Sequence, residues 1–165
     1  LSLHDALPIC CSLTLTAAQG VAGIFTTTEA ATNNDFVVLQ TSSAAIIGAG
    51  PGDDTYLLTS YLLTGGRTFT VSDTQGNNRI QLAAGLQIES SMVTSNALRL
   101  TLSNGTNVTV LGADNLSYQA CGNATIGLNP TPVTFATFAV NTLGVAVPAN
   151  ASTVVNGGPV TINCP

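Results

Sequence analysis

The sequence predicts an all-β fold with one short C-terminal helix, and three features predict it. Apolar and polar residues alternate through most of 76–112, which is the period of strands buried on one face. Turn residues such as Asn104-Gly105 separate the alternating runs. One segment near the C-terminus, 134–144, instead carries its apolar residues at helical spacing.

The central stretch contains several short strands. Its alternating apolar positions are Ile80, Leu82, Leu86, Ile88, Leu98, Leu100, Leu102, Val108 and Val110. Asn-Gly between two alternating runs is a strong hairpin signal. We therefore expect residues 98–102 to pair with residues 108–111 across the Asn104-Gly105 turn.

A repeat precedes and overlaps this stretch. N-N-D-F-V-V-L-Q at 33–40, G-D-D-T-Y-L-L-T at 52–59, G-N-N-R-I-Q-L-A at 76–83 and G-T-N-V-T-V-L-G at 105–112 each join turn residues to a strand. Their third positions, Asp35, Asp54, Asn78 and Asn107, are 19, 24 and 29 residues apart. Repeats of this length predict the stacked coils of a β-solenoid of the β-roll kind. Because the spacing is irregular, a β-sandwich whose strands share turn chemistry is the alternative.

The stretch 80–110 also resembles a known family. The patterns are I-x-L-x-x-G-L-x-I from Ile80, S-x-V from Ser91, and N-x-L-x-L-T-L-x-N-G-x-x-V-T-V from Asn96. Together they resemble the hemolysin-type calcium-binding related module, which accompanies repeats-in-toxin sequences in large secreted bacterial proteins. This resemblance implies a bacterial, secreted origin.

The N-terminal part divides into two segments. Residues 1–9, L-S-L-H-D-A-L-P-I, resemble a translated sequencing-library adapter, so we leave them out of the fold argument and expect an environmental fragment. Residues 10–32 are poorly defined, with an edge strand expected around Leu13, Leu15 and Ile24-Phe25. The β-rich repeat module is expected to span residues 33–120.

Residues 121–165 are expected to form a C-terminal capping segment. Thr134 can cap a helix that Gly144 ends, and this helix is expected to cover an open end of the β-structure. The apolar face of the predicted helix comprises Phe135, Phe138, Ala139 and Leu143. Short strands are expected at 145–147 and 159–162, and Cys121 and Cys164 can form a disulfide.

A metal site is expected at a glycine-rich turn. The motif G-x-G-x-D-x-Y, from Gly50 to Tyr56, resembles the glycine-aspartate nonapeptide of calcium-binding β-rolls. Glycines allow a tight turn, and carbonyl and carboxylate oxygens suit Ca²⁺. The candidate calcium ligands are Asp35, Gly50, Gly52, Asp53 and Asp54. The alternative is a plain β-turn with solvated aspartates.

Composition excludes several classes of function. Only 7% of residues are charged, against about 25% in an average protein, and Thr, Ser, Asn and Gly fill the polar positions. The net charge is −5 and the three cations are Arg67, Arg79 and Arg99, so no basic patch for nucleic acid is expected. No apolar run approaches the roughly 18 residues of a spanning helix, so no membrane insertion is expected.

The sequence also lacks the residues that most hydrolytic sites need. Its only histidine, His4, lies in the adapter-like segment, which excludes imidazole general bases and histidine-ligated zinc. Asp53 and Asp54 are the only adjacent carboxylates, and in a strand their side chains would point apart. We therefore expect no enzyme activity.

These observations predict a non-catalytic structural or adhesive module of a large secreted or cell-surface bacterial protein, with calcium as its expected cofactor. Its expected partners are neighbouring modules of the same chain or identical subunits. Two rival functions are the C-terminal secretion tail of a type I exported enzyme and a self-assembling filament or sheath subunit.

Overall fold

Over the residues that the structure describes, the chain forms two β-sheets and one short α-helix. A computed structural model describes residues 12–14, 23–26, 34, 36–38, 45–59, 65–121 and 130–163. Within these residues most regular structure is β, and the only α-helix spans Phe135–Asn141. The expected all-β class with a short C-terminal helix is confirmed.

Six described strands form the first sheet, and they neighbour one another in chain order. They are β1 (Ser12–Thr14), β3 (Phe36–Val38), β5 (Thr55–Leu58), β7 (Arg79–Leu82), β11 (Ser117–Ala120) and β12 (Val133–Thr134). All neighbours pair in parallel except β11 and β12, which are antiparallel.

The second sheet contains eight strands within the described part of the chain. They are β2 (Gly23–Thr26), β4 (Ala45–Gly48), β6 (Thr68–Ser72), β8 (Gln87–Val93), β9 (Ala97–Leu102), β10 (Asn107–Leu111), β13 (Val155–Gly157) and β14 (Val160–Thr161). Strands β2, β4, β6 and β10 pair in parallel, and β10 continues through antiparallel β9 and β8 to β13 and β14. From β1 to β7 the chain therefore alternates between the two sheets, one strand at a time.

The registers confirm three of the four predicted repeats and correct the fourth. Phe36 lies beside Thr55 and Thr55 beside Arg79, as the alignment of 33–40, 52–59 and 76–83 requires. The segment 105–112 instead belongs to the second sheet, where Asn107 pairs with Thr68. The fourth member in the first sheet is 114–121, because Ser117 pairs with Arg79.

The predicted hairpin is confirmed, with Leu98 opposite Val110 and Leu100 opposite Val108. In the sequence, β8 and the two hairpin strands β9 and β10 lie between β7 and β11, which are neighbours in the first sheet. Strand β8 carries a bulge between Ile88 and Ser90. One extra residue shifts the side-chain phase, so Ile88 and Val93 both face inward although they are five positions apart.

The inward-facing side chains of both sheets form one hydrophobic core. All nine alternating apolar residues predicted from the sequence are buried, with at most 2% exposed. Tyr56, Phe69 and Tyr118 are the largest ring systems contributed by the strands. Full burial contributes roughly 1.5–3 kcal/mol per large aliphatic side chain, which fixes the strand registers.

The helix α1 (Phe135–Asn141) packs beside β11. Thr134 caps it by accepting a hydrogen bond from the backbone of Thr137, and Gly144 follows with φ +70°. Phe138 stacks on Tyr118 at 4.7 Å between ring centroids, and Phe135 lies 5.5 Å from the same ring. The predicted helix and its N-cap at Thr134 are confirmed, whereas the helix ends at Asn141 with Thr142 as its C-cap, two residues before Gly144. Helix α1 covers the end of the first sheet near β11.

Two details of the terminal segments differ from expectation. Residues 145–147 form no strand, whereas Val155–Gly157 does, because β13 and β14 both pair with β8. At the other end, residues 10–32 contribute β1 and β2 to the same two sheets as the repeat segments.

Candidate functional site

The turns that precede β5 and β7 stack on each other. The turns before β5 and β7 are built on glycines with positive φ: Gly50 (φ 96°), Gly52 (φ 147°) and Gly76 (φ 84°). A Cβ on Gly76 would lie 1.5 Å from the carbonyl oxygen of Gly52. The two turns therefore contact each other backbone to backbone, which only glycine permits at position 76.

Side chains link these turns in two directions. The backbone N–H of Asp53 donates to Asn34 Oδ1 at 2.9 Å, and that of Asn77 donates to Asp53 Oδ1 at 2.8 Å. In the reverse direction, Asp54 N–H donates to Asn78 Oδ1 at 2.8 Å. We call the chain Asn34, Asp53, Asn77 the turn ladder. Its hydrogen bonds fix the position of each turn relative to the next, as backbone hydrogen bonds do for neighbouring strands within the sheets.

The candidate calcium ligands are partly brought together. Gly50, Gly52, Asp53 and Asp54 share one turn, whereas Asp35 lies outside the described residues. Asp53 is exposed and accepts from both the backbone and the side-chain amide of Asn77. Asp54 is only 1% exposed. The neighbouring carboxylates thus lie in different environments, as expected for successive residues of an extended segment.

No group of three or more His, Cys, Asp or Glu side chains comes together as a metal site within the part of the chain that the structure describes. A calcium ion at this turn would need backbone and amide carbonyls besides its carboxylates. Calcium binding at the turn stays a prediction.

A buried polar network lies on the other side of the same turn. Tyr56 Oη donates to Asp73 Oδ2, and the backbone N–H of Ala49 donates to Tyr56 Oη at 2.8 Å and to Asp73 Oδ2 at 3.3 Å. The other oxygen of Asp73 accepts from the backbone of Gln75 at 3.1 Å. Burial, together with the hydrogen bond to Asp73, raises the pKa of the Tyr56 phenol well above its ordinary value.

Sequence reasoning did not single out Asp73. It names Tyr56 in the glycine motif, but nothing in the spacing of 17 residues joins Tyr56 to Asp73. Only the crossing from β5 to β6, in opposite sheets, brings these two side chains together.

Two arginines lie along the outer faces of the sheets. Arg79 donates to Gln119 at 3.0 Å, and Arg99 donates to Asn107 at 3.0 Å. Asn107 Oδ1 also accepts from Thr101 at 2.9 Å. Each of these two arginines thus hydrogen-bonds a neutral amide on an adjacent strand.

A cavity of about 270 Å³ lies at the end of the turn ladder. Its lining residues are Asn77, Asn78, Asp114, Asn115, Leu116, Ser117, Pro132, Val133 and Thr134. By register, Asn115 occupies the level after Asn77, but its N–H donates to Gly112 O at 2.9 Å within the 3₁₀ helix Ala113–Asn115. The ladder therefore stops at Asn77, and an open polar space follows. A second cavity of similar size lies between 85–87 and 102–104.

Cys121 is disulfide-bonded and buried. It holds the left-handed φ of +75° directly after β11, and its N–H donates to Leu82 O at 2.8 Å. The partner cysteine lies outside the described residues, so the expected Cys121–Cys164 pairing stays a prediction.

The described part of the chain contains no helix that is long and apolar enough to cross a bilayer. Comparison of the chain with protein-family models, with curated proteins and with solved structures gave no match.

Proposed function

We propose that the chain is a non-catalytic β-solenoid module of the β-roll kind, with a structural or adhesive role in a large secreted or cell-surface bacterial protein. The observation that carries this proposal is the alternation of strands β1 to β7 between two parallel-paired sheets, with the turns stacked through Asp53. Such stacking builds an extended, rigid body from short repeats.

The strand pairing favours a solenoid over a sandwich. Sandwiches are built mainly from antiparallel sheets joined by hairpins or Greek-key connections, whereas here consecutive strands pair in parallel with the strand two positions on. Hydrogen bonds from Asp53 to Asn34 and from Asn77 to Asp53 join turns that are 19 and 24 residues apart. Bonds of this kind are expected between successive coils of one solenoid.

An extracellular location is supported by chemistry at Cys121. Disulfides persist in oxidising compartments and are rare in the cytosol of most organisms. The low charge and the many hydroxyl and amide side chains agree with this location, since they solvate strand faces without ion pairs. The resemblance at 80–110 supports the bacterial, secreted source.

The use of the buried carboxylates supports a non-catalytic role. Asp73 is held by Tyr56 and by two backbone N–H groups, and Asp54 is enclosed within its turn. A glycosidase needs two carboxylates that face one cleft. Asp54 is instead buried in the turn before β5, and Asp73 accepts a hydrogen bond that links the first sheet to the second.

Neighbouring modules of the same chain are the favoured partners. Among the described strands, β1 and β2 each have one hydrogen-bonded neighbour, so each offers a strand edge to a further coil. The opposite end of the first sheet carries the two-residue strand β12 and the helix α1. This asymmetry disfavours a filament built head to tail from identical subunits.

Calcium at the turn of Gly50, Gly52, Asp53 and Asp54 is part of this proposal, because extracellular calcium is concentrated enough to fill weak sites. We expect calcium to raise the Tm relative to a chelator, and Asp54→Ala to abolish that increment. Asp114→Ala, which removes a carboxylate outside this turn, serves as the control and should retain it. Equal Tm values with calcium and with chelator would leave a plain turn.

Recovery of the full-length gene tests the functional proposal. We expect tandem copies of related β-modules within one long reading frame. An upstream protease or lipase domain would instead favour the secretion tail, and a short gene with a signal peptide would favour the filament subunit. Hydrolysis of ester, peptide or glycoside substrates by the purified chain would overturn the proposal.

A further inference from the structure

The cavity at the end of the turn ladder presents oxygen acceptors that the described protein groups do not use. The side-chain amide of Asn77 donates a hydrogen bond to Asp53, and the side-chain carbonyl of Asn77 accepts from no described residue. The side chains of Asp114 and Asn115 make no hydrogen bond to a described residue, and all three are exposed. One carboxylate and two amides therefore line the same cavity.

Part of the described lining is apolar. Leu116, Pro132 and Val133 contribute to the cavity, beside the polar groups of Ser117 and Thr134. A bare cation gains nothing from an apolar wall and prefers a tight shell of oxygens. A phosphate or other anion would meet the Asp114 carboxylate with no cationic side chain among the described lining residues. The lining thus fits a neutral molecule that carries both hydroxyl groups and C–H surface.

We propose that this cavity binds one neutral monosaccharide unit of a glycan, with Asp114 accepting hydrogen bonds from sugar hydroxyls. Asn77 and Asn115 can each donate and accept further hydrogen bonds, and the apolar residues contact the C–H face. The volume of about 270 Å³ suits a single sugar ring better than an oligosaccharide. This inference rests on the proposed adhesive role, for which it names the ligand class.

The test is an NMR titration of the folded chain with glucose, galactose, mannose and N-acetylglucosamine. We expect at least one sugar to shift the backbone amide signals of Asn77 and Ser117 in a saturable way. The dissociation constant should be on the order of millimolar, as ligand efficiencies for a ligand of this size imply.

Two substitutions of matched charge sharpen the test. Asp114→Asn should weaken binding by about tenfold or more, because it removes a charged acceptor. Glu89→Gln removes the same charge from an exposed position on β8, outside the cavity lining, and should leave the affinity unchanged. The amide spectrum of each variant reports whether it is folded.

Two results would overturn the inference: no sugar gives a saturable shift, or Asp114→Asn binds as tightly as the natural chain. Failure here is distinguishable from failure of the functional proposal. A tandem surface module that binds no sugar would refute only the cavity assignment, whereas sugar binding followed by hydrolysis would refute only the non-catalytic role.

Discussion

At the scale of single residues, the pair Tyr56 and Asp73 shows how a buried charge is accommodated between the two sheets. Asp73 is 7% exposed and Tyr56 is fully buried. A carboxylate in such a place is tolerated when donors surround it, and here a phenol and two backbone N–H groups do so.

Removing the Tyr56 hydroxyl should therefore cost more than removing a comparable one. We expect Tyr56→Phe to lower the free energy of unfolding by about 2–3 kcal/mol, since a charged acceptor loses a donor. Tyr118→Phe is the matched control, because that buried hydroxyl donates to the neutral carbonyl of Ala113 at 3.1 Å and should cost about 1 kcal/mol. Urea unfolding measures both, and equal losses would contradict a special role for Asp73.

The same two phenols predict a loss of stability in alkali. Burial, with Asp73 for Tyr56 and Asp114 for Tyr118, raises both phenol pKa values in the folded state above the ordinary value of 10.0. The unfolded chain then releases these protons at lower pH than the folded chain, so stability is complete below pH 10 and falls as pH rises above it.

Unfolding measured between pH 8 and pH 11.5 checks this slope. The Tyr56→Phe and Tyr118→Phe variants should each show a shallower decline above pH 10, because each lacks one of the two protons. A natural chain whose stability stays constant to pH 11.5 would contradict the prediction.

At the scale of elements, the stacked turns depend on glycine for two separable reasons. Gly76 and Gly85 both have positive φ, at 84° and 77°. Only Gly76 also lies against another backbone, since a Cβ at position 85 would meet nothing within 4 Å. The two positions thus separate conformational strain from steric overlap.

We expect Gly85→Ala to cost about 1–2 kcal/mol, the usual penalty of a left-handed conformation. Gly76→Ala should cost clearly more, because the turns before β5 and β7 must move apart, which also weakens the bond from Asn77 to Asp53. Thermal melting measures the loss of stability in both variants. An equal decrease in Tm for Gly76→Ala and Gly85→Ala would show that the turns before β5 and β7 are not in close contact.

Sequence patterns located elements well where the local signal was complete. The sequence predicts the hairpin with its Asn104-Gly105 turn and the helix with its N-cap at Thr134. It places the segment 105–112 in the wrong sheet, because glycine and asparagine also mark the turn that precedes β10 in the second sheet. Periodicity shows that a strand buries one face but does not show which sheet it joins. Residues 145–147 have strand-forming side chains, yet β8 pairs with β13 and β14 instead.

The candidate site was less predictable than the strands. The glycine motif correctly placed Gly50 to Asp54 in one turn. The sequence does not predict the cavity near Asp114, since this cavity arises where the 3₁₀ helix Ala113–Asn115 interrupts the ladder, after an interval lengthened by β8 and β9. An interruption of a stack has no local signature in the sequence.

At the scale of the whole molecule, strands that are far apart in the sequence pair with one another. The segment 130–163, called here the closing segment, packs against both sheets. After Cys121, the chain adds β12 and α1 beside β11, and β13 and β14 beside β8. The closing segment therefore touches both sheets, and a disulfide that begins at Cys121 anchors its start.

Reduction of the disulfide should loosen this closing segment. If Cys121 pairs with Cys164, as the sequence predicts, the bridge encloses α1 and β12 to β14, and its loss should lower the free energy of unfolding by about 2–4 kcal/mol. Peptide mass mapping without reductant should recover a Cys121–Cys164 cross-linked peptide, and melting with reductant should show a reduced Tm. A Cys121→Ser, Cys164→Ser double variant should melt at the reduced temperature whether or not reductant is present. Alkylation of Cys164 in the unreduced folded chain would contradict the pairing, because a bridged sulfur has no thiolate to react.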